Sequence, residues 1–100
     1  MIMPSNKTSQ FFYTYVLKSE KDGNNYIGYT NSLKKRLEEH MKGMNTSTRP
    51  RRPLILIYYE ACLSEDDAKQ REEYLKQTAG RRFLAKCLRK FNLMTLRHLM

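Results

Sequence analysis

The chain's residue pattern predicts an α+β fold: a three-stranded, mainly antiparallel sheet covered by helices, in the order β-β-α-β-α-α. Three observations carry this reading. Two aromatic, β-prone stretches, Phe11 to Leu17 and Tyr26 to Thr30, flank the turn sequence Asp22-Gly23-Asn24-Asn25. A continuous apolar run, Leu54 to Tyr59, has the length of a strand. Other segments repeat their apolar residues at helical spacing. The chain has 100 residues, enough for one domain with one modest core.

The start, residues 1–10, is polar, with Pro4, Ser5, Asn6 and Ser9. It lacks the apolar core of a signal peptide and is expected to be a disordered lead-in. The domain proper is expected over 11–91. The first strand is rich in aromatics, and the returning strand brings Tyr26 close to Tyr15 across the hairpin. Thr30-Asn31-Ser32 offers an N-cap; Leu33, Leu37 and Met41 then recur on one helical face, and Gly43 ends the helix. Met44 to Pro53 is polar and holds two prolines, so it reads as a loop. Leu54 to Tyr59 reads as a central or well-covered strand. Ser64 with Asp67 approximates a capping box and opens a helix to Lys76. Gly80 interrupts. Phe83, Leu84, Cys87, Leu88 and Phe91 form the stripe of a third helix. Residues 92–100 either prolong it or form a tail.

No apolar run is long enough for a membrane span. Cys62 and Cys87 form no CxxC pair and share no ligand spacing with His40 or His98, which argues against zinc. Both are read as reduced core residues of a cytoplasmic protein. The net charge of +9 and pI near 9.8 favour a polyanionic partner. General solubility is the plain alternative. Arg49, Arg51 and Arg52 cluster in the proline loop. Arg81, Arg82, Lys86, Arg89, Lys90 and Arg97 follow one another with no acid between them. This spread over several elements is unlike a membrane-surface helix.

Glu72 stands four residues after Ala68 and three before Leu75, on the apolar face of its helix. Glu73 is turned away by about 100°. A carboxylate among apolar neighbours needs a partner. A divalent cation, Lys76 or Arg36 would each serve.

Tyr13-Thr14-Tyr15 on the first strand and Tyr26-Ile27-Gly28 on the second, with Arg36 ten residues after Tyr26 and then Glu72, resemble the GIY-YIG nuclease superfamily. The resemblance runs from about Phe11 to Phe91. It is closest to small stand-alone bacterial members, related to the catalytic domain of the excision-repair incision subunit, which points to DNA repair. It implies that Tyr15 and Tyr26 serve the nucleophilic water, as base or as orienter. It implies that Arg36 stabilises charge on the phosphate, and that His40 assists proton transfer or phosphate binding, as in some branches. Matching Arg71-Glu72, Lys76 and Gly80-Arg81 puts the family's metal ligand on Glu72, which would hold Mg²⁺ or Mn²⁺. Read without the resemblance, the tyrosines are core or rim residues, Arg36 is solvated and His40 is an exposed or helix-end residue.

Gly28, Tyr29, Arg49, Arg51, Arg52, Lys76, Arg81 and Arg82 are the expected nucleic-acid contacts. Three departures stand out. The first motif keeps only its tyrosine. Tyr29 replaces a lysine of the incision subunit, and Leu84 stands where several members have an asparagine. The expected function is a metal-dependent endonuclease, structure-selective, on DNA ahead of RNA. Its selectivity would come from the DNA's structure or from a protein partner. The alternative is a non-catalytic nucleic-acid-binding module of the same fold.

Overall fold

The computed structural model describes residues 10–99, with side chains described as far as Thr95. Of the expected lead-in only Gln10 is described; its amide donates to the carbonyls of Phe11 and Asn31, each at 2.9 Å. Strand β1, Phe12–Ser19, turns back into β2, Asn25–Thr30. The turn needs Gly23, whose φ of +74° is left-handed. Ser19 closes it: its hydroxyl oxygen accepts from the backbone of Lys21 at 3.2 Å and Asp22 at 3.1 Å. The antiparallel register sets Tyr15 opposite Gly28 and Leu17 opposite Tyr26.

Helix α1, Leu33–Met41, follows, then a loop containing a short 3-10 turn over Arg49–Arg51. Strand β3, Leu54–Cys62, pairs antiparallel with the other side of β1. The sheet order is therefore β2-β1-β3. This corrects the expectation that the apolar run is a central or well-covered strand: among the described residues β3 is an edge and β1 the centre, and apart from Leu54 the residues of β3 are half-buried or exposed. The loop carries the chain from the β2 side across to the free side of β1, where the backbone of Glu20 donates to Pro53 at 2.8 Å. A bulge between Val16 and Leu17 adds a residue to β3.

The two faces of the sheet have separate apolar clusters. Tyr15, Leu17 and Leu54 are buried against α1, with Tyr26, Leu33, Leu37 and Leu56 around them. Val16 is buried on the other face against Leu75, Leu84 and Leu88. Each such side chain contributes about 1.5–3 kcal/mol on burial. His40, not Met41, is the buried residue at the end of α1; Met41 is 48% exposed. Residues 33, 37 and 40 lie on one helical stripe, and 41 falls beyond its edge.

Helix α2, Glu65–Lys76, is capped by Ser64, whose hydroxyl accepts from the Asp67 backbone at 3.3 Å. The Thr14 hydroxyl donates to the Ala68 carbonyl at 2.7 Å and ties β1 to this helix. The Arg71 guanidinium forks onto Glu60 of β3 at 2.9 and 2.8 Å and stacks over Tyr74 and Phe83. Helix α3, Thr78–Cys87, starts before Gly80, which does not interrupt it. The expected third helix is instead divided at Leu88, and α4 runs over Arg89–Leu99. Residues 92–99, read as a helix extension or a tail, thus lie within α4. The buried line of α3 is Gly80, Leu84 and Leu88, so Cys87 falls on its flank and is exposed, against expectation; Cys62 is half-buried, and both are free. No helix of the described residues is long and apolar enough to cross a membrane.

Gly80 lets the start of α3 press on the end of α2. A Cβ there would overlap the Tyr74 carbonyl oxygen and come within 2.5 Å of the Leu75 Cα. Backbone cannot step aside as a flexible side chain can. Gly80→Ala is expected to lower stability by about 2 kcal/mol or more in urea denaturation, although alanine favours helix.

Candidate active site

The site forms at the β2 edge of the sheet. Gly28 sits opposite Tyr15 and has no side chain, so the Tyr15 ring lies across β2. A Cβ at position 28 would overlap the Tyr15 hydroxyl and come within 2.5 Å of its Cζ. The Tyr15 hydroxyl pairs with His40 Nε2 at 2.9 Å, and His40 Nδ1 pairs with the Thr48 hydroxyl at 2.8 Å. Tyr15, His40 and Thr48 are all buried. Tyr26 completes an aromatic trio, its ring centroid 6.4 Å from that of Tyr15 and 5.3 Å from that of His40. Unlike Tyr15, Tyr26 is only half-buried and opens outward.

It opens into a groove of about 670 Å³ whose lining includes Lys18, Asn25, Tyr26, Glu72, Lys76 and Arg81. Glu72 reaches this groove from α2, on the sheet face opposite α1. The β2 edge is thus where residues from both faces meet. The Glu72 side chain is 23% exposed and that of Glu73 72%, so Glu72 is the carboxylate turned inward. Its ion-pair partner is Lys76, at 3.4 Å. Among the described residues there is no group of three or more metal-ligating side chains. A lone, partly exposed carboxylate fits a hard cation that keeps most of its waters and takes further oxygens from a phosphate.

Burial first, and then the neighbouring Tyr26, hold the Tyr15 hydroxyl well above the usual phenol range; Glu72 and Glu39 add to this and Arg36 opposes it. Burial, and then Arg36, push His40 below its ordinary value, with Glu39 opposing. The pair is therefore neutral near neutral pH. Arg36 itself is partly exposed and leans on Glu39 at 3.5 Å. Its charge lowers the Tyr15 value, whereas Tyr26 and Glu72 raise it.

Other expected contacts lie elsewhere or are engaged within the chain. Arg51 pairs with Asp22 at 2.9 Å and donates to the Asn24 carbonyl at 3.1 Å; its bond holds the Asp22 carboxyl at about 2. Arg52 donates to the carbonyls of Arg49 and Met41 at 3.1 and 3.3 Å, closing the loop over Gly43. Tyr29 donates to Glu65 at 2.5 Å and lies under Lys69. Arg49 and Arg82 are exposed, and Arg82 does not line the groove as Arg81 does. Sequence reasoning missed Lys18, Asn25 and Thr48. The alternation of β1 could have found Lys18, two residues after buried Val16. Nothing in the sequence marks Thr48, which a loop delivers to His40.

The depressed value of His40 has a consequence for stability. Between its folded-state value and 6.5 the unfolded chain binds a proton that the folded chain resists. The stabilising contribution is therefore present above 6.5 and is lost as pH falls through the folded-state value. The urea midpoint is expected to fall between about pH 7 and about pH 5, and to fall less in His40→Gln.

A family model described as the GIY-YIG catalytic domain matches residues 11–86. A UPF0213 protein of Clostridium perfringens is 41% identical over 66 residues, covering 65% of this chain and 70% of that protein. One from Bacillus pumilus is 46% identical over 65 residues, covering 64% and 65%. The chain thus spans 65–70% of the length of these relatives. Among solved structures, the solution NMR structure of a UPF0213 protein from Bacillus halodurans has a TM-score of 0.50 at 29% identity, covering 77% of this chain and 84% of that one. The family match runs from the residue before β1 to the last turn of α3, takes in both tyrosines, Arg36, His40 and Glu72, and on that extent the chain belongs to the GIY-YIG nuclease family.

Proposed function

We propose that this protein is a divalent-metal-dependent endonuclease that hydrolyses phosphodiester bonds in nucleic acid, on DNA ahead of RNA, choosing its target by strand structure. The observation that supports this best is the opening of Tyr26 and Glu72 onto one basic groove, backed by the buried Tyr15–His40 pair. In this reading Tyr26 faces the attacking water. Its oxygen accepts a hydrogen bond from that water and aims it at phosphorus, while Tyr15 and His40 hold the Tyr26 ring from behind. As the bond from water oxygen to phosphorus forms, the bond to the leaving oxygen breaks. The water's proton passes through Tyr26 to solvent in the groove, and solvent returns a proton to the leaving oxygen. Arg36 leaves Glu39 and donates to the phosphoryl oxygens as their charge grows. Mg²⁺ or Mn²⁺ on Glu72 would polarise a phosphoryl oxygen and steady the leaving group.

Lys18, Lys76 and Arg81 give the groove its positive charge, and they contact backbone phosphate rather than bases. Among the described residues no element is built to read a major groove, so discrimination rests on branches, nicks or single strands, or on a protein partner. We assign Arg51 and Arg52 to holding their loop.

Wild type, Glu72→Ala and Arg36→Ala are to be compared on branched, nicked, single-stranded and duplex DNA and on RNA, with Mg²⁺, Mn²⁺ or chelator. Glu72→Ala is expected to abolish metal-dependent cleavage with binding unchanged or tighter. Arg36→Ala is expected to slow cleavage by about two orders of magnitude or more. Tight binding without cleavage on every substrate would favour the non-catalytic module instead.

Salt dependence of binding separates the groove from the loop. Replacing Lys76 and Arg81 by alanine is expected to flatten the plot of log affinity against log salt by about 1–2 units. Arg51→Ala is expected to lower stability while leaving that slope almost unchanged.

A further inference from the structure

The hydroxyl of Thr48 meets no described partner but His40, and that of Tyr15 likewise meets only the other nitrogen of the same ring. All three side chains are buried, so no bulk water relieves a poor arrangement. A neutral imidazole carries one proton, and the nitrogen that holds it decides the direction of both bonds. With the proton on Nδ1, the ring donates to Thr48 and accepts from Tyr15. With the proton on Nε2, Thr48 donates to the ring, and the ring donates to the phenol oxygen.

The two arrangements are chemically unequal. A phenol is a stronger hydrogen-bond donor and a weaker acceptor than an aliphatic alcohol, because its oxygen lone pair is drawn into the ring. The first arrangement pairs the phenol proton with the basic imidazole nitrogen, and the imidazole N–H with the alcohol oxygen. Each end then has its better match. Each arrangement leaves one hydroxyl proton without a described acceptor, that of Thr48 in the first and that of Tyr15 in the second; the phenol proton is the more acidic and the costlier to strand in a buried place.

We propose that Thr48 is a positioning residue that holds His40 in the tautomer protonated at Nδ1, leaving Nε2 as the acceptor for the Tyr15 hydroxyl and so fixing the tyrosine pair at the β2 edge. The loop between α1 and β3 is built to deliver it. The Thr48 backbone donates to Asn45 at 3.2 Å, and the Thr48 carbonyl accepts from Arg51 at 2.9 Å. The Ser19 hydroxyl donates to the Arg51 carbonyl at 2.6 Å and anchors the loop to the end of β1. The logic is that of any functional histidine whose second nitrogen is fixed by a partner: the partner never meets the substrate but selects which nitrogen does the work.

The inference rests on the nuclease reading only for its kinetic arm. Nitrogen-15 NMR of His40, with His98→Gln leaving a single histidine, reads the tautomer without substrate or metal. Wild type and Thr48→Ser are expected to carry the proton on Nδ1. Thr48→Val, which fills similar space but cannot accept, is expected to move it toward Nε2. On a cleavable substrate, Thr48→Val is expected to lower kcat by about tenfold or more with KM unchanged, and Thr48→Ser to restore it. A wild-type protein carrying the proton on Nε2 overturns the proposal, as does a folded Thr48→Val with the wild-type tautomer or wild-type kcat. If Thr48→Val does not fold, the wild-type and Thr48→Ser tautomers still decide. A wild type that cleaves nothing overturns the nuclease reading alone, since the tautomer is measured without turnover.

Discussion

The ring of Tyr15 occupies space above β2 that any side chain at position 28 would fill. From that one vacancy the geometry of the site follows. The ring can cross the strand only because Gly28 is bare, and once across it meets His40. The histidine can be buried at the end of α1 because both of its nitrogens find partners there. Tyr26, on the same face of β2, then packs edge-on against His40 and is pressed outward, where Glu72 arrives around the strand edge. A small cost in strand propensity at the glycine is exchanged for a site assembled from both faces of one sheet.

The arginine-rich loop changes meaning in this setting. Three arginines flanking two prolines suggest a hand held out to phosphate. In the fold, Arg51 and Arg52 reach back to the hairpin turn, the end of α1 and their own loop. Guanidinium suits this work, since its planar fork can satisfy several carbonyl and carboxylate oxygens at once. The positive charge still contributes to the overall field that draws a polyanion, but the local bonds serve architecture.

What could be read in advance was the local grammar. The Asp22-Gly23-Asn24-Asn25 turn, the Ser64 cap and the spacing of Ala68, Glu72 and Leu75 each depend on near neighbours, and each took its expected form. Non-local facts were less legible. The apolar run at Leu54 gave no sign that, among the described residues, it would pair with only one strand, because strand order is set by how the preceding loop crosses the sheet. The stripe from Phe83 to Phe91 looked continuous, yet it divides at Leu88, which periodicity cannot detect. His40 was legible as a candidate and illegible as a buried residue, since its burial depends on Thr48, eight residues on, through a loop whose path no pattern predicts.

Strand β3 has a further meaning once its place at the edge is known. Among the described residues its outer side has no strand partner, and its sequence, Leu54-Ile55-Leu56-Ile57-Tyr58-Tyr59, is of the kind that stacks with copies of itself. Long-range repulsion from a net charge of +9 keeps such edges apart in dilute solution. On the proposed reading, a bound polyanion would neutralise that repulsion and gather several molecules along one strand. Colloidal stability and affinity for such a polyanion would then draw on the same charges with opposite effect, and crowding on long nucleic acid would be the condition that most exposes this edge to self-association.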